Sequence, residues 1–230
     1  MIGILHVPVA IPLIVGDAGN AASYRYDVVM REISGCSVDE VVRGERATVA
    51  LRIVATARSL VDDGARAIAG DCGTLLRFQA EVAAAVDVPV LLSPLIAVPL
   101  VSALTGGRPV GVLAANSDNV GPTELAWAGI RAEHRVVVEG LQTRAAWRAA
   151  IVEESGRLDP DELEADVLHG ALALRARVPD VGALVLDCAD MPPYGASIQA
   201  ATGLPVFDAL GLADLLAGAV DRGAHVPSHG

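Results

Sequence analysis

Lysine is missing from this chain: all 17 basic residues among its 230 are arginine. That absence excludes a pyridoxal phosphate enzyme, which needs a Schiff-base lysine, and a Walker-type P-loop, whose lysine reaches the phosphates. Cysteine is scarce too. Cys36, Cys72 and Cys188 are spaced too widely for a disulfide framework or a zinc site, and a reducing cytoplasm is their natural compartment. Aromatic residues make up only 3% of the chain, so Trp127, Trp147 and Phe207 read as packing residues and not as a stacking platform. Long apolar runs are interrupted. Residues 1–15 lack a basic n-region and carry His6, Pro8 and Pro12, while residues 88–104 are broken by Pro89, Pro94 and Pro99. Neither a signal peptide nor a membrane span is expected. The net charge of −11 argues against nucleic acid and anionic membrane surfaces as partners. It also leaves any anionic substrate dependent on local donors.

What is abundant is apolar: 53% of the residues, mainly Ala, Val and Leu, as parallel strands covered by helices require. One stretch is written twice. Residues 67–70 read as a buried strand, Asp71-Cys72-Gly73 as a turn, residues 74–86 as a helix and 88–91 as a second strand. An offset of 116 residues carries Asp71 onto Asp187, Cys72 onto Cys188, Phe78 onto Tyr194, Val82 onto Ile198 and Pro89 onto Pro205. An old duplication whose cysteines are only small buried residues is the plain explanation. The sharper one is that two thiols occupy equivalent places in two facing lobes.

Ligands of an open parallel α/β sheet bind beyond the carboxyl ends of the strands. Each cysteine sits there and opens a helix, whose N-terminus favours an anion and lowers a thiol's pKa. The backbone N–H groups of Gly73 and Thr74, and of Ala189 and Asp190, are candidates to hold a substrate carboxylate. Asp71 and Asp187 would raise the thiol pKa values unless they point into the sheet or the lobe interface.

Along the chain, residues 2–7 form the first expected strand, followed by a turn-rich segment in which Asn20 and Ser23 are possible donors. A helix is expected over 46–61, with Val49, Ile53, Ala57 and Leu60 inward and Gly64 just past its end. Gly106-Gly107 is a hinge. The pattern then restarts with a strand at 109–114 and a polar loop at 115–119 that supplies Asn116 and Ser117 as donors. Helices are expected from Pro122 and over 144–154, with a short strand at 136–138 between them. Asp159-Pro160-Asp161-Glu162 opens another helix, with Asp at the N-cap, Pro at N1 and Glu at N3. A last helix at 210–220 should pack on the first lobe, and residues 223–230 look like a loose tail. His6, His134, His169, His225 and His229 are scattered; His6 ends a strand and could face the cleft, but a solvated or core-satisfied histidine is the better reading. Cys36 has no partner in the repeat and reads as structural.

Taken together, residues 2–8, Gly70-Asp71-Cys72-Gly73, residues 114–119, residues 186–194 and residues 203–208 resemble the aspartate/glutamate/hydantoin racemase superfamily over nearly the whole chain. The resemblance implies an α/β fold of two pseudo-symmetric Rossmann-like lobes, each a mainly parallel sheet flanked by helices, with the active site in the cleft between them. Residues 1–105 with 208–230 would form one lobe and 106–207 the other. It implies no cofactor and no metal. Cys72 and Cys188 would be the two catalytic bases, one thiolate removing an α-proton and the other thiol returning it on the opposite face. The same scaffold serves arylmalonate decarboxylation, maleate isomerisation and sulfonium-propionate cleavage, so a lyase, decarboxylase or cis–trans isomerase using one cysteine is the alternative. A silent binding protein is another. The amino-acid racemases commonly carry Thr, Asn or Ser just after each cysteine, whereas this chain has Gly73 and Ala189. The expected partner is a small carboxylate-bearing substrate, and assembly as a homo-oligomer stays open.

Overall fold

The computed structural model describes residues 1–221. Its first half runs β1 (Ile2–His6), β2 (Val28–Glu32), α1 (Val38–Arg43), α2 (Arg46–Asp62), β3 (Ile68–Gly70), α3 (Gln79–Ala85), β4 (Val90–Leu91) and α4 (Val98–Leu104). The second half runs β5 (Val110–Ala114), α5 (Pro122–Trp127), β6 (Val136–Gly140), α6 (Ala145–Trp147), α7 (Pro160–Arg177), β7 (Ala183–Leu186), α8 (Gly195–Thr202), β8 (Val206–Phe207) and α9 (Ala209–Val220). Each half contributes one four-stranded, all-parallel sheet, in the orders β2-β1-β3-β4 and β6-β5-β7-β8. The fold is α/β, and the two sheets have one topology.

The central strands are apolar because helices cover both of their faces. All five residues of β5 are buried. Val49, Ile53, Ala57 and Leu60 form the inner face of α2, and Leu163, Val167, Ala171 and Leu174 that of α7. The approach of these helices is close enough to need glycine beneath them. A Cβ on Gly3 would lie 3.1 Å from the Leu60 Cβ, and one on Gly111 would lie 2.7 Å from Leu174 Cδ2. Asp159 caps α7 by accepting from the Asp161 and Glu162 N–H groups, and Gly64 ends α2 at φ +93°.

Two helices cross over. Val98 and Val101 of α4 pack with Val110, Val112 and Val185 of the second sheet. Leu216, Ala217 and Val220 of α9 pack on Ile2, Ile4, Ala67 and Ala69 of the first.

Some expectations need correction. β2 was not anticipated, since its Val28-Val29-Met30 run is short and only half-buried. The helix expected from residue 74 starts as a 3-10 helix over Gly73–Phe78. Three residues per turn put Leu75 and Phe78 into the first-sheet core while Leu76 faces the second. The helix expected over 144–154 is α6 followed by a π-helix, Arg148–Val152. Residues 223–230, with His225 and His229, lie outside the described residues. No helix among the described residues is long and apolar enough to cross a membrane.

Candidate active site

Both cysteines follow the carboxyl ends of their strands and line one cavity of about 250 Å³. The halves are pinned together at its floor. Ala18 N–H donates to Ala189 O at 3.1 Å, joining the loop after β1 to the second cysteine turn. Gly73 packs on the Asp187 backbone so tightly that a Cβ there would sit 2.4 Å from the carbonyl oxygen. Ser93 Oγ donates to Asp187 Oδ1 at 2.9 Å across the boundary between the sheets.

The two aspartates that precede the cysteines have turned to different partners. Asp71 accepts from Val7 N–H at 3.0 Å and pairs with His6 Nδ1. This hydrogen bond raises the His6 pKa, while burial raises that of Asp71 against the pull of the imidazole. Asp187 points to the interface and Ser93, and burial pushes it up to about 6. Neither carboxylate hydrogen-bonds its neighbouring thiol, although the Asp71 charge still raises Cys72.

The residues two places after the cysteines differ as well. Cys72 Sγ lies 3.0 Å from the Thr74 hydroxyl, whereas Cys188 Sγ donates to Asp190 Oδ2 at 3.1 Å. Burial pushes the Cys72 thiol up to about 12, with Thr74 pulling it back. Burial, then the Asp190 charge, raises Cys188 well above the usual thiol value. Burial of these half-buried thiols thus opposes the lowering expected of a helix end. Enclosure outweighs the few N–H groups of a 3-10 turn. Asp17, only 3% exposed, accepts from Gly19 N–H at 2.6 Å and faces Asp190. Burial, then the neighbouring Asp190 charge, pushes its pKa well above the usual carboxylate range.

Of the anticipated residues, Cys72, Gly73, Thr74, Asn116, Cys188, Ala189 and Asp190 line the cavity. Asn20 and Ser117 do not. The Asn20 side chain is spent within its own loop, donating to Leu13 O and accepting from Ala22 N–H, and Ser117 is engaged by the Gln142 side chain. His6, read from the sequence as solvated or core-satisfied, is turned to the cavity. Asp17 and Asn119 also line it and were missed, although Asp17 stands in the turn-rich loop where a donor was sought. Val9, Ile11, Val42 and Ile151 add an apolar lining, and Arg43 and Glu154 line the cavity as well. Among the described residues, no group of three or more His, Cys, Asp or Glu is arranged to hold a metal ion.

Comparison with known proteins agrees with this architecture. The family described as Asp/Glu/Hydantoin racemase matches residues 43–213. A dimethylsulfoniopropionate lyase of Durusdinium sp. clade D is 29% identical over 216 residues, 90% of this chain and 71% of the relative. Dimethylsulfoniopropionate lyase 7 of Emiliania huxleyi is 27% identical over 219 residues, 91% of this chain but only 64% of the relative. Among solved structures, allantoin racemase from Pseudomonas fluorescens superposes with a TM-score of 0.65 at 18% identity, covering 96% of this chain and 90% of that one. At that identity the likeness is one of fold. A match over most of the sequence, on a doubled parallel α/β frame with a cysteine at each strand end, places the chain in the Asp/Glu/hydantoin racemase family.

Proposed function

We propose that the chain is a cofactor-independent enzyme that moves a proton at the carbon α to a carboxylate or carbonyl, and that its reaction is racemisation or epimerisation. The observation that carries this reading is the pair of thiols, Cys72 and Cys188, at equivalent positions of two repeats and on one cavity. A tetrahedral carbon held between them can lose a proton to one and regain it from the other. The barrier is the weak acidity of that carbon, so the developing enolate oxygens need donors in a site shielded from water. The N–H groups of the cysteine turns and the Asp17 carboxyl, whose pKa burial raises, are the candidates to supply them, and the apolar lining limits water.

A second reading is elimination or decarboxylation, in which one thiol acts alone. It is favoured by the likeness to dimethylsulfoniopropionate lyases over about nine-tenths of the chain, and by the unlike partners of the two thiols. The chain spans about two thirds of those relatives' length, so it need not share their whole activity.

The test is recovery of substrate from deuterium oxide, over a panel of 2-amino, 2-hydroxy and hydantoin acids together with dimethylsulfoniopropionate. Deuterium wash-in with inversion supports the racemase. Cys72→Ser and Cys188→Ser should each abolish inversion, because a serine hydroxyl is too weak an acid to replace a thiolate. Irreversible loss of substrate that tolerates one of those substitutions would rule it out in favour of the lyase.

A further inference from the structure

We propose that His6 receives the carboxylate of the substrate, donating to it from Nε2. This deepens the reading above, and rests on it for the choice of cavity and for a substrate that bears a carboxylate. The argument starts from a break in the symmetry of the two halves. Asp71 N–H donates to Leu5 O at 3.2 Å and Asp187 N–H to Leu113 O at 2.9 Å. The strand ends therefore correspond, and His6 stands where the second half has the small, buried Ala114. The aspartate beside each is put to a different use. Asp187 is tied to Ser93 and joins the halves, while Asp71 turns to His6. The doubled frame has no need of an imidazole at this place.

The pair is built to hold the ring in one pose. The Asp71 side chain is only 3% exposed, accepts from Val7 N–H at 3.0 Å through one oxygen and meets His6 Nδ1 with the other. The His6 side chain keeps 22% of its surface open and lines the cavity. With Nδ1 engaged, Nε2 is the polar atom the ring has left to offer, and it has no partner among the described residues.

The cavity has few other donors of the right sign. Asp17, Asp39, Asp71, Glu154, Asp187 and Asp190 line it, and Arg43 and His6 are the lining side chains able to carry positive charge. Arg43 is paired with Asp39 at 3.0 Å, and its side chain is 79% exposed. Gly73 and Ala189, directly after the cysteines, bring no side-chain donor. His6 is the enclosed cation that remains.

His6 and Asp71 share one exchangeable proton. Whether it sits on Nδ1 or on the carboxylate, Nε2 keeps its own hydrogen and donates. Once the pair loses that proton, the remaining hydrogen stays on Nδ1 against Asp71, and Nε2 becomes an acceptor that repels an anion. The hydrogen bond to Asp71 raises the His6 pKa above the ordinary 6.5, burial opposes it, and the charges of Asp71 and of Glu32 on β2 add to the rise. Anion binding is thus present at neutral pH and is lost as pH rises through the raised value. Besides these two carboxylates, the charged and titratable groups around the cavity are the lining acids, Arg43 and the two thiols.

Two measurements on the full chain test this. The first uses propionate, with uncharged propionamide as the control, and follows the Cε1–H signal of His6 by NMR. Saturating propionate should raise the His6 pKa, because an anion prefers the protonated ring. The propionate Kd should grow by about tenfold per unit of that rise as pH passes through the titration. Propionamide should do neither. His6→Asn keeps a donor for Asp71 but none for the cavity, and should weaken propionate by about tenfold and flatten its pH dependence. Asp71→Asn should move the loss of binding to lower pH. The second measurement is kinetic: His6→Asn should raise KM by about tenfold with a smaller change in kcat. Propionate binding that ignores both pH and His6→Asn overturns the assignment, and so does a fall in kcat with KM unchanged. A wild type that binds propionate through His6 but exchanges no α-proton overturns the proposed function and leaves this contact standing. An active wild type whose His6 titration ignores propionate does the reverse. The wild-type titration needs no variant at His6, since replacing the other four histidines assigns its signal by elimination if His6→Asn does not fold.

Discussion

Asp17 shows what enclosure does to a single group. Burial raises the folded-state pKa of this carboxyl toward about 9, from the ordinary value of 3.8 near which an unfolded chain releases the proton. Between those values the native state binds more protons than the unfolded state, so stability falls as pH rises through the window. Asp17→Asn keeps the shape and removes the titration. The variant should lose much of the decline in unfolding free energy between pH 5 and 9, a difference on the order of a few kcal/mol by linkage. Denaturant titrations at both pH values measure it, and equal slopes for wild type and variant would count against a buried acid at this position.

At the level of elements, the two cysteine turns work only because they can touch. A methyl group on Gly73 would meet the Asp187 backbone, which cannot yield without moving Cys188. Gly73→Ala should therefore lower kcat by about 10², the usual effect of a displacement near 1 Å, while the sheets stay folded. Circular dichroism and wash-in rates together distinguish this from general unfolding. The turns were legible in the sequence because the repeat carries them without a gap, and so were α2 and α7, whose apolar residues keep a helical period between clear stop and start signals. Other features were not legible. β2 has no alternation and little burial to announce it. The role of His6 depends on Asp71, 65 residues away, and Ser93 meets Asp187 from the other half of the chain. Side-chain partners so remote in sequence leave no local pattern. The burial that opposes the expected lowering of the thiol pKa values was hidden for the same reason, since burial is a property of the assembled site.

For the whole molecule, the link between halves runs through a buried carboxylate. Ser93→Ala would strand Asp187 Oδ1, a site only 8% exposed, and should cost about 1–3 kcal/mol in thermal or chemical unfolding. Charge acts at this scale too. With a net charge of −11 the surface repels an anionic substrate at long range. Raising ionic strength from about 10 to about 150 mM should therefore increase kcat/KM, since the screening length shortens from about 30 to about 8 Å. A fall in kcat/KM would mean that local donors such as Arg43 dominate the approach.

The exchange of α4 and α9 between the sheets has a further consequence. The backbone passes from one half to the other at Gly106-Gly107, where an added Cβ on either glycine would meet nothing within 4 Å. A protease nick there severs the covalent connection and spares the packing. Each fragment still lays one of its own helices on the other's sheet, and each supplies one of the two thiols. The nicked protein should migrate as one particle in native chromatography and as two bands once denatured. Activity should persist in the clasped fragments and vanish in either one alone.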